Sequence, residues 1–304
     1  MTGPSRSGVL PVDKGAGISS FQAVAHLRRL LRAPKVGHGG TLDPSATGLL
    51  PILVGEATKL TPYLVDLDKE YRATVRLGVV TDSQDLSGRV VETRPVPELS
   101  GATIEAALAR FVGRIRQVPP MYSALHHEGR RLYELARGGI EVPREPREVT
   151  VHEIALESVA LPDVHIRVRC GKGFYVRTLA EDLGRALGPG GALAALVRTR
   201  VGPYRLEDAV PWETIMQARD GGALWPRLLE PDSALVEMPS VVLDEARARS
   251  FLHGQTVSAD CPATLVRVYG GDGLFLGIGA RVGAGLKPER LLHADPPQRR
   301  VLPA

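Results

Sequence analysis

From Gly37 to Gly48 the chain reads Gly-His-Gly-Gly-Thr-Leu-Asp-Pro-Ser-Ala-Thr-Gly, and it passes directly into the apolar run Leu49–Val54. A stretch so dense in turn-forming residues interrupts regular structure, and an apolar run this short suits a buried strand. The fold must therefore deliver a sharply turning loop straight into its core. Glycines at 37, 39, 40 and 48 flank Asp43. They let the backbone turn and let another molecule approach without meeting side chains, while Pro44 stiffens the next step. An aspartate held this way can act as a nucleophile, as a general base or as the Asx cap of its own turn. His38 has a similar choice between contacting a substrate and tying the loop together.

Helices and strands interleave on both sides of this loop. Val9 to Asp13 reads as a short strand, and Ser19 or Ser20 offers an N-cap for a helix whose stripe Val24, Leu27, Leu30 and Leu31 is assigned to the core. Tyr71, Ala73, Val75 and Leu77 alternate with Arg72, Thr74 and Arg76, the pattern of a half-buried strand whose polar face is cationic. Ile104, Ala107, Leu108 and Phe111 mark a second amphipathic helix. Val164 to Cys170 alternates like a strand, and Tyr175 to Leu187 reads as a helix stopped by Gly188. Between them Pro119 to Glu148, rich in proline, glycine and charge, reads as an inserted segment that is mobile. Past a boundary near Pro231 to Pro239, Thr264 to Tyr269 and Leu274 to Gly279 suggest short strands of a small β module.

The 304 residues leave room for about two domains. Two cysteines, Cys170 and Cys261, suit a reducing compartment, and no apolar run reaches the ~18 residues of a membrane helix or forms a signal-peptide core. A cytoplasmic protein is expected. The net charge of +4 permits a nucleic-acid partner. From Arg110 to Arg147 eight arginines face four glutamates, so this stretch carries the whole excess. Arginine grips phosphate with a planar fork, although a GC-rich genome would also favour it throughout.

Several chemistries lose support. Neither the Asp43 loop nor Gly171-Lys172-Gly173 has the spacing of a Walker phosphate loop, and no GxGxxG follows a strand. His126 and His127 are adjacent, which separates their rings, and no HExxH or CxxC occurs. Cys170 reads as a buried thiol.

Taken as a whole, Gly37 to Pro51 resembles the catalytic signature of the TruB family of tRNA pseudouridine synthases. The resemblance extends through Asp13-Lys14, Asp68-Lys69-Glu70-Tyr71, Pro120-Met121-Tyr122-Ser123-Ala124-Leu125 and Lys172 to Leu179, as far as Leu196-Val197-Arg198. It implies that a uridine in the T loop of tRNA is isomerised, with no cofactor and no metal. Asp43 matches the family's nucleophile, which attacks ribose C1′ or uracil C6. Tyr71 matches the tyrosine that stacks on the uracil and assists proton removal, and Arg177 the arginine that pairs with the aspartate. Leu196 matches an apolar contact of the base pocket, His38 a histidine that helps the base leave its stack, and Lys14 a supporting lysine. Tyr175, Gly40 and Thr41, inside the matching blocks, are expected at the substrate. Two positions depart from the family pattern: Gly15 stands where proline is usual and Phe174 where threonine is usual.

The fold implied is α/β (α+β), a mixed, mainly antiparallel sheet with flanking helices over residues 9–235. Its insertion at 119–148 would clamp the RNA. A small PUA-like, β-barrel-like module follows at 238–304. The T arm of tRNA is the expected partner, with a monomer, no obligate protein partner and no membrane. An enzyme that works on a base must flip it out and receive it on an aromatic face, which Tyr71 would supply. A different class of function, a tRNA-binding and folding chaperone in which modification is secondary, and a synthase for another RNA are the alternatives.

Overall fold

In the computed structural model, residues 6–123, 125–127 and 129–292 are described. Ala124, Glu128 and the end of the expected C-terminal module at 293–304 lie outside the described residues. The chain forms two compact units. One gathers the chain up to Leu42, Leu50–Val65 and the chain from Gly202 onward; the other gathers Asp43–Leu49 and Asp66–Val201.

In the second unit the strand Lys69–Leu77 has the expected alternation, with Tyr71, Ala73, Val75 and Leu77 all at most 9% exposed. Buried on one face, it can sit in the interior of a sheet. Gly191–Val201 flanks it on one side and Asp163–Cys170 on the other, both antiparallel. Arg147–Ala160 and then Gly113–Gln117 extend the sheet, again antiparallel. At the opposite edge Thr47 and Gly48 pair parallel with Val197 and Arg198, which makes the sheet mixed. The cationic face read from the sequence is neutralised here: Arg72 pairs with Glu157 at 3.2 Å and Arg76 with Asp163 at 2.5 Å. Those carboxylates come from a strand and a hairpin end distant in sequence, beyond any local pattern.

The helix Val176–Leu187 covers this sheet with Leu179, Ala180 and Leu183, all fully buried, and ends at Gly188 with φ of +107°. It begins one residue later than the sequence suggests, because Tyr175 keeps extended dihedrals as the cap. The helix Gly101–Ala109 buries Ile104 and Leu108, with Phe111 beyond its end. The inserted segment contains the strand pair His126–His127 with Arg130–Arg131 and the helix Leu132–Arg137. Met121, Leu132 and Leu135 give it a small core of its own. Arg147 and Glu148 already belong to the strand Arg147–Ala160.

In the first unit Gly8–Lys14 pairs parallel with Val210–Pro211, and Val36–His38 pairs antiparallel with Val54 to Ile52. Residues 37 and 38 are thus strand, so the loop proper starts at Gly39. The helix Ser20–Leu30 is capped by Ser19 with a reciprocal bond from Gln22. It turns Ala23 and Leu27 inward, with Leu31 just past its end, while Val24 and Leu30 are only half-buried. Leu27 and Leu31 of the expected stripe are thus core, while Ala23 takes the place expected of Val24. Ser240–Leu243, Leu265–Gly270, Phe275–Val282, Gly285–Leu291 and Val257–Ser258 form a five-stranded sheet in that order. With the helix Glu245–Leu252 it encloses Phe251, Val266, Val268 and Leu286, all 0% exposed. Among the described residues no helix is long and apolar enough to cross a membrane.

Candidate active site

Gln117 fixes where the helix Val176–Leu187 starts. Its side chain accepts from the Tyr175 N–H at 3.0 Å and donates to the Tyr175 carbonyl at 3.3 Å. Arg177, in the first turn, is only 6% exposed. Its Nη2 donates to the Tyr122 carbonyl at 2.8 Å and its Nη1 to the Ser83 carbonyl at 3.4 Å. The remaining edge meets Asp43, with Nε 3.0 Å from Oδ2 and Nη2 3.5 Å from Oδ1. A guanidinium can only donate, so two backbone carbonyls orient it and the carboxylate takes what is left. The Asp43 side chain is 35% exposed. One side of it is held and the other remains open.

The Asp43 loop closes on itself through the Ala46 N–H to the Asp43 carbonyl at 3.1 Å. It then passes through Gly48, whose φ is +96° and whose missing Cβ would fall 2.5 Å from the Arg198 carbonyl oxygen and 2.9 Å from its nitrogen. Only glycine fits there. Leu49 follows, and its carbonyl accepts from Arg198 Nε at 2.7 Å. Arg198 is directly opposite Tyr71 across the strand pair and hydrogen-bonds to its side chain. Burial pushes the Tyr71 hydroxyl up to about 12, against the pull of Arg198. A narrow cavity beside Asp43 is lined by Asp85, Ala195 and Leu196. Asp43, Tyr71, Arg177 and Leu196, expected at the site from the sequence, thus all fall in the second unit, with Asp43 in ion-pair contact with Arg177 and sharing a cavity with Leu196. Tyr175 lies two residues before Arg177 in the chain, and burial raises the pKa of its hydroxyl as well.

Two residues of this unit were given no role by the sequence reading. Arg198, 1% exposed, is the largest fully buried side chain among the described residues, yet in Leu-Val-Arg-Thr-Arg it looks no different from its neighbour Arg200. Asp85, 8% exposed, accepts from the Ser87 N–H at 2.9 Å and from the Ser83 hydroxyl at 2.8 Å. It shapes the turn whose Ser83 carbonyl receives Arg177. The Asp-Ser-Gln-Asp-Leu-Ser-Gly composition of residues 82–88 announces a turn but not its position beside Asp43.

Lys14, His38, Gly40 and Thr41 belong to the first unit. Lys14 is fully buried and its Nζ donates to the carbonyls of Gly15 and Ile18, each at 2.9 Å. This ties down the turn that Gly15 would otherwise loosen. His38 Nδ1 accepts from the Gly40 N–H at 3.3 Å, Gly40 has φ of +128°, and Thr41 is exposed. Ser20 Oγ both accepts from the Leu42 N–H and donates to its carbonyl, which fixes the residue before Asp43. Phe174 is buried. Burial pushes the Cys170 thiol up to about 12, so it is an inert core residue. Among the described residues no three His, Cys, Asp or Glu side chains gather as metal ligands.

The large mixed sheet that carries these residues, with its covering helices, has the pseudouridine synthase fold. A chain in a crystal structure of a Cbf5–Nop10–Gar1 complex superposes with a TM-score of 0.71 over 93% of this chain and 84% of that one, at 24% identity. Residues 28–176 match the model of the TruB family pseudouridylate synthase N-terminal domain. Residues 177–236 match the tRNA pseudouridylate synthase B C-terminal domain, and residues 239–292 the C-terminal part of pseudouridine synthase II TruB. The tRNA pseudouridine synthase B of Burkholderia mallei is 50% identical over 298 residues, covering 94% of this chain and 96% of that protein. That of Aromatoleum aromaticum is 48% identical over 287 residues, covering 94% and 92%. The chain belongs to the TruB family of tRNA pseudouridine synthases, and it is an isomerase.

Proposed function

We propose that the protein isomerises uridine 55 in the T loop of tRNA, with Asp43 as its nucleophile. The observation that carries this is the Arg177–Asp43 contact: a buried cation, fixed by two carbonyls, holds a half-open carboxylate aimed. The reaction breaks the C1′–N1 glycosidic bond, turns the uracil and joins C5 to C1′; the proton leaves C5 and N1 gains one. Asp43 forms the transient covalent bond, at ribose C1′ or uracil C6, and is released unchanged. Tyr71 supplies an aromatic face for the flipped base and Leu196 an apolar contact. No cofactor enters the scheme.

The partner is the T arm. The arginines of the inserted segment, among them the exposed Arg130 and Arg131, suit its phosphates, and the segment clamps the arm. Lys14, His38, Gly40, Thr41 and Tyr175 assist binding. The catalytic region spans residues 9–235 and a PUA-like RNA-binding module follows at 238–304; the protein acts as a cytoplasmic monomer with no obligate protein partner. The test is tritium release from a T-arm stem-loop labelled at uracil C5, with no metal or nucleotide added. Release by the wild type and none by Asp43→Asn is the expected result. Tight, salt-sensitive binding with no release from either would instead favour an RNA-folding role.

A further inference from the structure

Arg198 is an anomaly in energetic terms. A guanidinium 1% exposed is costly to bury, and an apolar side chain of similar volume would pack the same space at lower cost. Its position makes the charge intelligible. In the strand Gly191–Val201 it is paired with Tyr71 on one side and with Gly48 on the other. These two neighbours are the aromatic of the base pocket and the last turn of the Asp43 loop. Arg198 Nε donates to the Leu49 carbonyl at 2.7 Å, and the guanidinium also hydrogen-bonds to the Tyr71 side chain.

We propose that Arg198 is a positioning residue for the isomerisation: it holds the Tyr71 hydroxyl oxygen as an acceptor while clamping the strand that leaves the Asp43 loop. This rests on the assignment of Asp43 and Tyr71 given above. Because arginine has no acceptor, the bond between them has one possible polarity, and the hydroxyl proton of Tyr71 must point away from Arg198. Burial keeps that hydroxyl protonated, although Arg198 pulls the other way. Tyr71 therefore presents a fixed ring, with its hydroxyl proton directed away from Arg198. The same guanidinium couples the two halves of the site, since moving it would displace Leu49 and the tyrosine ring together.

The experiment is a double-mutant cycle of Arg198→Met and Tyr71→Phe, with single-turnover rates and KM measured on the T-arm stem-loop. Arg198→Met should lower kcat roughly 10- to 100-fold, the usual scale for losing a charge-assisted bond, and leave KM within about 2-fold. In the Tyr71→Phe background the further loss should shrink to about 3-fold or less, and Arg198→Lys should recover part of the rate. Losses that multiply in full would overturn the proposal. If Arg198→Met does not fold, arginine-labelled NMR on wild type and Tyr71→Phe decides: the Arg198 Nε and Nη signals must shift when the hydroxyl is removed, and unchanged signals sink the idea. Isomerisation retained by Asp43→Asn would instead remove the underlying reading of the site, a separate result.

Discussion

Arg177 Nε lies 3.0 Å from Asp43 Oδ2, and the two side chains differ sharply in exposure, 6% for the arginine and 35% for the aspartate. The cation is held by two backbone carbonyls and meets the carboxylate with its remaining edge. Its bonds to the Tyr122 and Ser83 carbonyls tie the aim of Asp43 to two segments distant in sequence, the inserted segment and the turn around Asp85. A carboxylate with one fixed face and one open face is what a nucleophile requires.

Replacing Asp43 by Asn should therefore abolish isomerisation, by on the order of 10³-fold or more, while T-arm affinity changes by less than about 3-fold. Arg177→Met should be worse in a different way. It strands two carbonyls in the interior, so roughly 1–3 kcal/mol of stability should go with the activity. Arg177→Lys should restore part of the stability but little of the rate, because a point charge cannot serve three acceptors in one plane. Urea midpoints and single-turnover rates on the three variants separate these effects.

Gly48 offers a cleaner test of backbone geometry. Gly48→Ala brings a Cβ within 2.5 Å of the Arg198 carbonyl oxygen, and the atoms it meets are all Arg198 backbone, with no flexible side-chain end to yield. Gly17, with φ of +84°, has nothing within 4 Å of the same position. Gly17→Ala should cost only the left-handed strain, about 1 kcal/mol, whereas Gly48→Ala should cost several-fold more and lower kcat by displacing Asp43. Equal destabilisation of the two variants would count against a close strand contact at Gly48.

The parts of the molecule that could be read from sequence are those governed by local chemistry. The Ser19 cap, the alternation at Tyr71–Leu77 and the Gly188 stop each depend on a few neighbouring residues, and each appears as expected. Phase within the first helix was harder: Ala23 is small enough to be overlooked, and its burial with Leu27 rotates the stripe away from Val24. Arg72 and Arg76 looked like a free cationic face because Glu157 and Asp163 are 85 and 87 residues away. Asp43 stood out through its glycines. Arg198 and Asp85 did not, because their significance comes from strand register and from a turn that folds back, and neither leaves a local signature.

Lys69 gives a pH-dependent prediction. It is 8% exposed, its Nζ donates to the Leu67 carbonyl, and burial, reinforced by Arg198, lowers its pKa to about 8 from 10.5. Between those values the unfolded chain binds a proton that the folded chain does not, so stability rises with pH through this window and is penalised in full below it. From pH 7.5 to 9.5 the wild type should gain about 2 kcal/mol relative to Lys69→Met. Urea unfolding of both proteins at the two pH values measures it, and parallel curves would mean that Lys69 is not desolvated.

The inserted segment should reveal itself through salt. Arg130 and Arg131 are exposed on a short strand and close no ion pair among the described residues, so their charge is available to a ligand. Each phosphate neutralised releases counterions, and losing one contact should reduce the slope of log affinity against log salt by about 1. Arg130→Ala with Arg131→Ala should thus flatten the slope by up to about 2 and weaken binding at low salt, while the single-turnover rate at saturating RNA stays near that of the wild type. On the proposed reading the two arginines bear on grip and Asp43 on chemistry. A variant with an unchanged salt slope and a lower saturating rate would reverse that division and place the segment in the catalytic step.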